Sequence, residues 1–195
     1  MHRLVTVAVL TLITFVAGCA STPTSRFYTL SAANGSAATT SNVSIAVGPV
    51  TVPAVVDRPQ IVVNMGPNQV RVEEFNRWAA PLQNNIARVV VDNLVFMLGT
   101  PLVTSSAQTL SAEADYRAAV EVQSFQSTPG EAAVLDAVWT VRRSKDGKAE
   151  TGRTTVREAV REQSYDALAA AHSRAVARLS QDIADAVRAL ESSGR

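Results

Sequence analysis

From Asp115 to Ser127 the chain alternates, placing Tyr116, Ala118, Val120, Val122 and Ser124 at every second position. A period of two is that of a strand with one buried face, and it cannot be reconciled with the 3.6-residue period of a helix. Val134–Arg143 is a second such run. Asp146-Gly147, a dipeptide suited to turn positions with positive φ, leads from it into a third run at Glu150–Glu162. The apolar face of such a sheet has to be covered by something.

Two helical stripes supply the cover. Leu82, Ile86, Val89, Val90, Asn93 and Met97 recur at helical spacing, with Pro81 in the first turn and Gly99 where a C-terminal glycine cap belongs. Ser164 is placed to cap a second helix, whose stripe is Leu168, His172, Ala175, Leu179, Ile183, Ala186 and Leu190. Shorter strands are expected at Phe27–Leu30, Val43–Val47 with a resumption at Val50–Val52 after Gly48-Pro49, and Leu102–Thr104. Gln60–Met65 and Gln69–Phe75 read as a strand pair around the turn Gly66-Pro67-Asn68, and Ser31–Asn42 as a flexible loop. The expected fold is α+β: an antiparallel-rich mixed β-sheet with two long helices packed on one face.

The N-terminus has a different logic. After Met-His-Arg, Leu4 to Val16 carries no charge and runs into Val16-Ala17-Gly18-Cys19. The apolar stretch falls short of the roughly 20 residues needed to span a bilayer and has the layout of a secretory signal. Small residues leading directly into a cysteine resemble the bacterial lipobox, in which that thiol receives a diacylglyceryl group. Cys19 is the only cysteine, so it has no disulfide partner in the chain. The expectation is a cleaved signal peptide (1–18), a lipidated tether (19–26) and a single periplasmic domain (27–195). In the sorting rules for such proteins, Ala20 after the cysteine favours the outer membrane, because it is not the aspartate associated with inner-membrane retention.

Composition and residue inventory exclude several kinds of chemistry. The 18 Lys and Arg stand against 17 Asp and Glu, and loss of Arg3 with the signal leaves the charges balanced. A nucleic-acid partner would require a basic excess. His172 is the only histidine beyond residue 18, and its place on an apolar stripe marks it as a packed side chain rather than a catalytic base. An ordinary Cys/His zinc site is not available, nor is a standard phosphate-binding loop, and no cofactor is expected. Glu73 and Glu74, adjacent on a strand, point to opposite faces and cannot cooperate. Asp182 and Asp185 belong to the polar side of their helix, and Arg142, Arg143, Lys145 and Lys148 at the hairpin tip read as solvated charge. Trp78 and Trp139 are either buried aromatics or ligand platforms, the former being commoner. The chain is not expected to be an enzyme.

Several runs, taken in order, resemble one family. Phe27-Tyr28-Thr29-Leu30 follows the cysteine closely, and Val47-Gly48-Pro49-Val50 leads to Val52-Pro53 and Asp57-Arg58-Pro59-Gln60-Ile61-Val62. Arg77-Trp78-Ala79-Ala80-Pro81-Leu82 then opens the first helix. The pattern resembles the ABC-type transport auxiliary lipoproteins, the PqiC-like family. The resemblance implies partners: an MCE (mammalian cell entry) domain protein and ABC transporter subunits that move lipid between two membranes. It also makes the chain a candidate for homo-oligomerisation, to match a ring-shaped partner.

Within that reading, the polar, proline-stiffened turn of Asp57, Arg58, Pro59 and Gln60 suits presentation of side chains to a partner, and Arg77 and Trp78 could share the same surface. The alternative is structural, with Asp57 pairing with Arg58 or capping the backbone and Arg77-Trp78 fixing helix to sheet. Two other functions stay open: a lipoprotein that itself holds a lipid or other apolar ligand, and an envelope scaffold unrelated to lipid.

Overall fold

The computed structural model describes residues 23–33, 42–105 and 113–193. The signal segment, Cys19, the start of the tether and most of the Ser31–Asn42 stretch lie outside the described residues. Among the described residues ten elements follow one another: β1 (Arg26–Tyr28), β2 (Ile45–Thr51), β3 (Gln60–Gly66), β4 (Gln69–Trp78), α1 (Leu82–Leu98), β5 (Val103–Ser105), β6 (Tyr116–Thr128), β7 (Ala132–Arg143), β8 (Ala149–Ala159) and α2 (Tyr165–Ser192).

The strands form two sheets, one of five strands in the order β5-β2-β6-β7-β8 and one of three in the order β1-β4-β3. In the larger, the β6-β7-β8 meander is antiparallel, while β2 lies parallel to both β5 and β6. This is the expected α+β class. β2 runs as one strand through Gly48-Pro49, which has a cis peptide bond, and its register shifts between Val47 and Val50.

Both helices cover one face of the five-stranded sheet, α1 over β2 and β5, α2 over β6, β7 and β8. Of the expected stripes, Leu82, Ile86, Val89, Val90 and Asn93 on α1 and Leu168, His172, Ala175, Leu179, Ile183, Ala186 and Leu190 on α2 are buried; Met97 is half-buried, and Leu94 joins the buried face of α1. Gly99 closes α1 in the left-handed region (φ 63°), and the Ser164 side chain accepts from the Ala167 amide at the start of α2. Asn93 joins the helices, donating to Ser180 Oγ and accepting from the backbone N–H of Ala33. Ser31 donates its own N–H to Ser173, so the first residues of the stretch read as a loop are pinned to the helices.

One detail departs from simple alternation. A register shift in β6 between Val122 and Ser124 moves the buried set from Tyr116, Ala118, Val120 and Val122 to Phe125 and Ser127. Ser124 is therefore not on the core face. A bulge inserts one residue, and because side chains alternate, one residue reverses every side chain beyond it. The shift brings Phe125 under α2 and places Ser127 against His172.

Candidate functional site

The residues singled out in the sequence converge at the base of the β3–β4 pair. Pro53 begins a tight turn, its carbonyl accepting from the amides of Val56 and Asp57, and the Arg58 N–H donates to Val56 O. Pro59 then meets the end of β4, where the Trp78 N–H donates to Pro59 O at 2.7 Å, and Gln60 pairs with Arg77. A cleft of about 380 Å³ results, lined by Asp57, Arg58, Pro59, Trp78, Pro81 and Gln83 among others. Arg77 lies beside it, held by its neighbour Glu74 through the backbone carbonyl and a 2.5 Å ion pair.

Arg77 and Trp78 are expected from sequence at the opening of the helix, but both belong to β4, Trp78 as its last residue, and the helix begins at Leu82. Trp78 is 5% exposed and meets Phe125 and His172 edge-on, at ring-centroid distances of 6.2 and 6.4 Å. It therefore ties the small sheet to β6 and α2 while lining the cleft. Above it, Asp57 and Arg58 are exposed. Among the described residues, neither side chain forms an ion pair or a hydrogen bond, so the structural alternative of an Asp57–Arg58 pair is not what the fold does with them. The start of α1 also faces this cleft with no capping side chain and no acidic residue in its first turn, leaving its amide dipoles open.

Phe27 is a neighbour that sequence reasoning did not select. It pairs across β1 and β4 with Arg77, which in turn pairs with Gln60, so these three side chains form a row on one face of the three-stranded sheet. Phe27 is 64% exposed. The available signal was strand alternation: with Tyr28 buried, the residue before it must point outward.

The remaining chemistry-bearing groups are engaged elsewhere. His172 is fully buried, stacked on Phe125 at 3.8 Å, with Nε2 2.8 Å from Ser127 Oγ. Burial pushes its pKa down to about 3, so the ring is neutral across the physiological range. Glu73 faces Arg71 and Tyr165. Burial alone would raise its pKa, but hydrogen bonds from Arg71 and Tyr165 outweigh that and hold the carboxyl below its ordinary range.

Two assignments to solvated surface are corrected. Arg143 is 3% exposed, donating to Asp146 at 2.6 and 3.0 Å and to the Leu190 carbonyl in the last turn of α2, where the helix dipole favours a cation. That guanidinium holds the Asp146 pKa down to about 2. Asp182 accepts from the Thr154 hydroxyl at 2.6 Å, and Thr154 accepts from Trp139 Nε1, so this carboxylate anchors α2 to β8. Trp139 is a packed strand aromatic, lying over Gly152.

The model of a family described as the ABC-type transport auxiliary lipoprotein component matches residues 28–184, a span that contains the whole cleft. No curated protein sequence matches the chain. Among solved structures, an uncharacterized protein is similar at 21% identity and a TM-score of 0.70, covering 85% of this chain and 99% of that one. A Xanthomonas campestris protein of family DUF330 is similar at 19% identity and a TM-score of 0.69, covering 88% and 100%. A PelC dodecamer from Paraburkholderia phytofirmans shows a more distant likeness, with 12% identity and a TM-score of 0.36 over 75% and 94% of the two chains.

Proposed function

Because the chain belongs to the family of ABC-type transport auxiliary lipoprotein components, we propose that it serves an MCE-type intermembrane lipid transport system as a docking subunit. In this reading Cys19 carries the lipid, the outer membrane holds the protein on its periplasmic side, and an MCE-domain protein with its ABC transporter subunits is the partner. The contact surface is the cleft at the base of the β3–β4 pair, with Asp57, Arg58, Pro59 and Gln60 on the turn, and Arg77 and Trp78 bracing it.

The observation that carries the docking role is the pair of uncommitted charges at Asp57 and Arg58. Several arginines elsewhere on the surface are matched to carboxylates: Arg88 with Asp92, Arg153 with Asp136, Arg157 with Glu131, Arg174 with Glu158. Here a proline-stiffened turn, hydrogen-bonded to the backbone of a buried tryptophan, presents two charges with nothing of their own to bind. Rigid presentation limits the conformational entropy lost on association, and complementary charge steers the partner. The role is non-catalytic. The one histidine beyond the signal is neutral and sealed in the core, where it can neither reach a substrate nor exchange protons with it.

The test is affinity capture of the full-length, tagged chain after cross-linking in its own envelope, with proteins identified by mass spectrometry. Recovery of an MCE-domain protein and ABC transporter subunits is expected, with marked loss in the double variant Asp57→Ala, Arg58→Ala. Failure to recover any transport subunit would refute the assignment. Equal recovery with the double variant would refute the placement of the contact.

A further inference from the structure

The β3–β4 hairpin has two unlike ends. Its base carries the cleft. Its far end, the turn Gly66-Pro67-Asn68, is flanked by Met65, Val70 and Val72, three large apolar side chains among the most exposed of the fold. From Pro59 through Val70 the sequence has no charged residue, and the first charge beyond, Arg71, is paired with Glu73 at 2.5 Å. An uncharged projection with three exposed apolar side chains is suited to an apolar environment.

Chain direction identifies that environment. β1 lies parallel to β4, with Arg26 opposite Asn76 and Tyr28 opposite Trp78. A strand parallel to β4 must be entered from the end at which β4 begins, and that end is the apolar turn. Cys19 stands as many residues before Arg26 as Gln69 stands before Asn76. Extended at 3.3–3.6 Å per residue, the connection reaches roughly 25 Å, about the length of β4 from Asn76 back to the turn. A lipid on Cys19 thus has the reach to enter a bilayer lying at the hairpin tip, whereas the cleft at the base stands the length of the ten-residue β4, about 30 Å, further away.

We propose that the tip of the β3–β4 hairpin, with Met65, Val70 and Val72, is a second membrane contact that inserts into the interfacial layer of the bilayer holding the anchor. This inference rests on lipidation of Cys19. It orients the domain, because the apolar tip faces the membrane and the Asp57–Arg58 turn faces the periplasm, where an approaching partner can reach it. Apolar side chains at the headgroup–acyl boundary add to the acyl chains and remove the freedom to tumble on a tether.

The experiment uses the full-length chain, expressed and processed in cells, purified and reconstituted into phosphatidylethanolamine–phosphatidylglycerol vesicles. Single variants Met65→Cys, Ala80→Cys and Lys145→Cys are labelled with an environment-sensitive fluorophore; acylated Cys19 has no free thiol to compete. All three positions are exposed or half-exposed, so folding is expected to survive, and near-UV circular dichroism verifies it. The label at position 65 is expected to shift to the blue and to be quenched severalfold more by spin-labelled acyl chains than labels at 80 and 145. The mass of the N-terminal peptide is measured on the same samples. An acylated Cys19 with a position-65 label no better quenched than that at 80 would overturn the orientation alone. An unmodified Cys19 would overturn the anchoring reading, and this proposal with it.

Discussion

Acidification tests the buried histidine, because His172 behaves unlike most histidines that acquire a partner on folding. Its ring is fully enclosed and stacked on Phe125, and among the described residues Nδ1 has no hydrogen-bonding partner. Protonation would leave a cation with no counter-charge and an N–H with no acceptor, and burial accordingly pushes the pKa down to about 3. A base whose folded pKa lies below its unfolded value, about 6.5, contributes stability that is complete above that value and declines as pH falls, since only the unfolded chain takes up the proton. The slope is about 1.4 kcal/mol per pH unit between 6.5 and 3. Taking the pH from 7 to 5 is therefore expected to cost roughly 2 kcal/mol, before ordinary carboxylates begin to titrate. Urea unfolding followed by the fluorescence of Trp78, whose ring centroid is 6.4 Å from that of His172, reads this directly. The control is His172→Gln, which keeps a polar side chain and cannot titrate; it starts less stable but is expected to show a nearly flat profile over the same range. If the wild-type chain and the variant lost the same stability between pH 7 and 5, the reasoning would be wrong.

Other perturbations separate packing from docking. A Cβ at Gly152 would stand 2.3 Å from Trp139 Cζ2, so Gly152→Ala is expected to destabilise by about 1–3 kcal/mol in chemical denaturation, as overpacked cores do. Ser164→Ala removes the side chain that accepts from the Ala167 amide, and a loss of about 1 kcal/mol is expected in the same assay. Trp78→Ala is expected to cost about 3–5 kcal/mol and to reduce partner capture through unfolding. Arg58→Ala, at an exposed site where the side chain has no partner among the described residues, is expected to leave the unfolding midpoint in place while weakening capture; a large fall in its midpoint would show that Arg58 is structural.

Local signals were legible in the sequence wherever neighbours along the chain decide the outcome. The Ser164 cap, the left-handed Gly99, the Asp146-Gly147 turn and the period-two runs all depend on residues within a few positions of one another, and each is where it was expected. The gathering of Asp57, Arg58, Pro59 and Trp78 around one cleft was approached through short motifs, but the sequence could not show that the Trp78 N–H donates to Pro59 O, because that contact is long-range. The same limit explains the corrections. Arg143 looks like hairpin-tip charge until the end of α2 arrives beside it. Asp182 looks solvated until β8 supplies Thr154. The bulge between Val122 and Ser124 cannot be inferred from alternation, since the residues on both sides of it alternate correctly. The division into two sheets is likewise decided by pairings between distant segments: β1 with β4, and β2 with β5 and β6.

Site-specific photocross-linking in living cells tests most directly whether the Asp57–Arg58 turn presents an anchored subunit to a lipid transport assembly. A photoreactive amino acid placed at Arg58 of the full-length chain is expected to form an adduct with an MCE-domain subunit, while the same probe at Lys145 does not. Adducts at Lys145 but not at position 58, or none with any transport subunit at either position, would contradict the account.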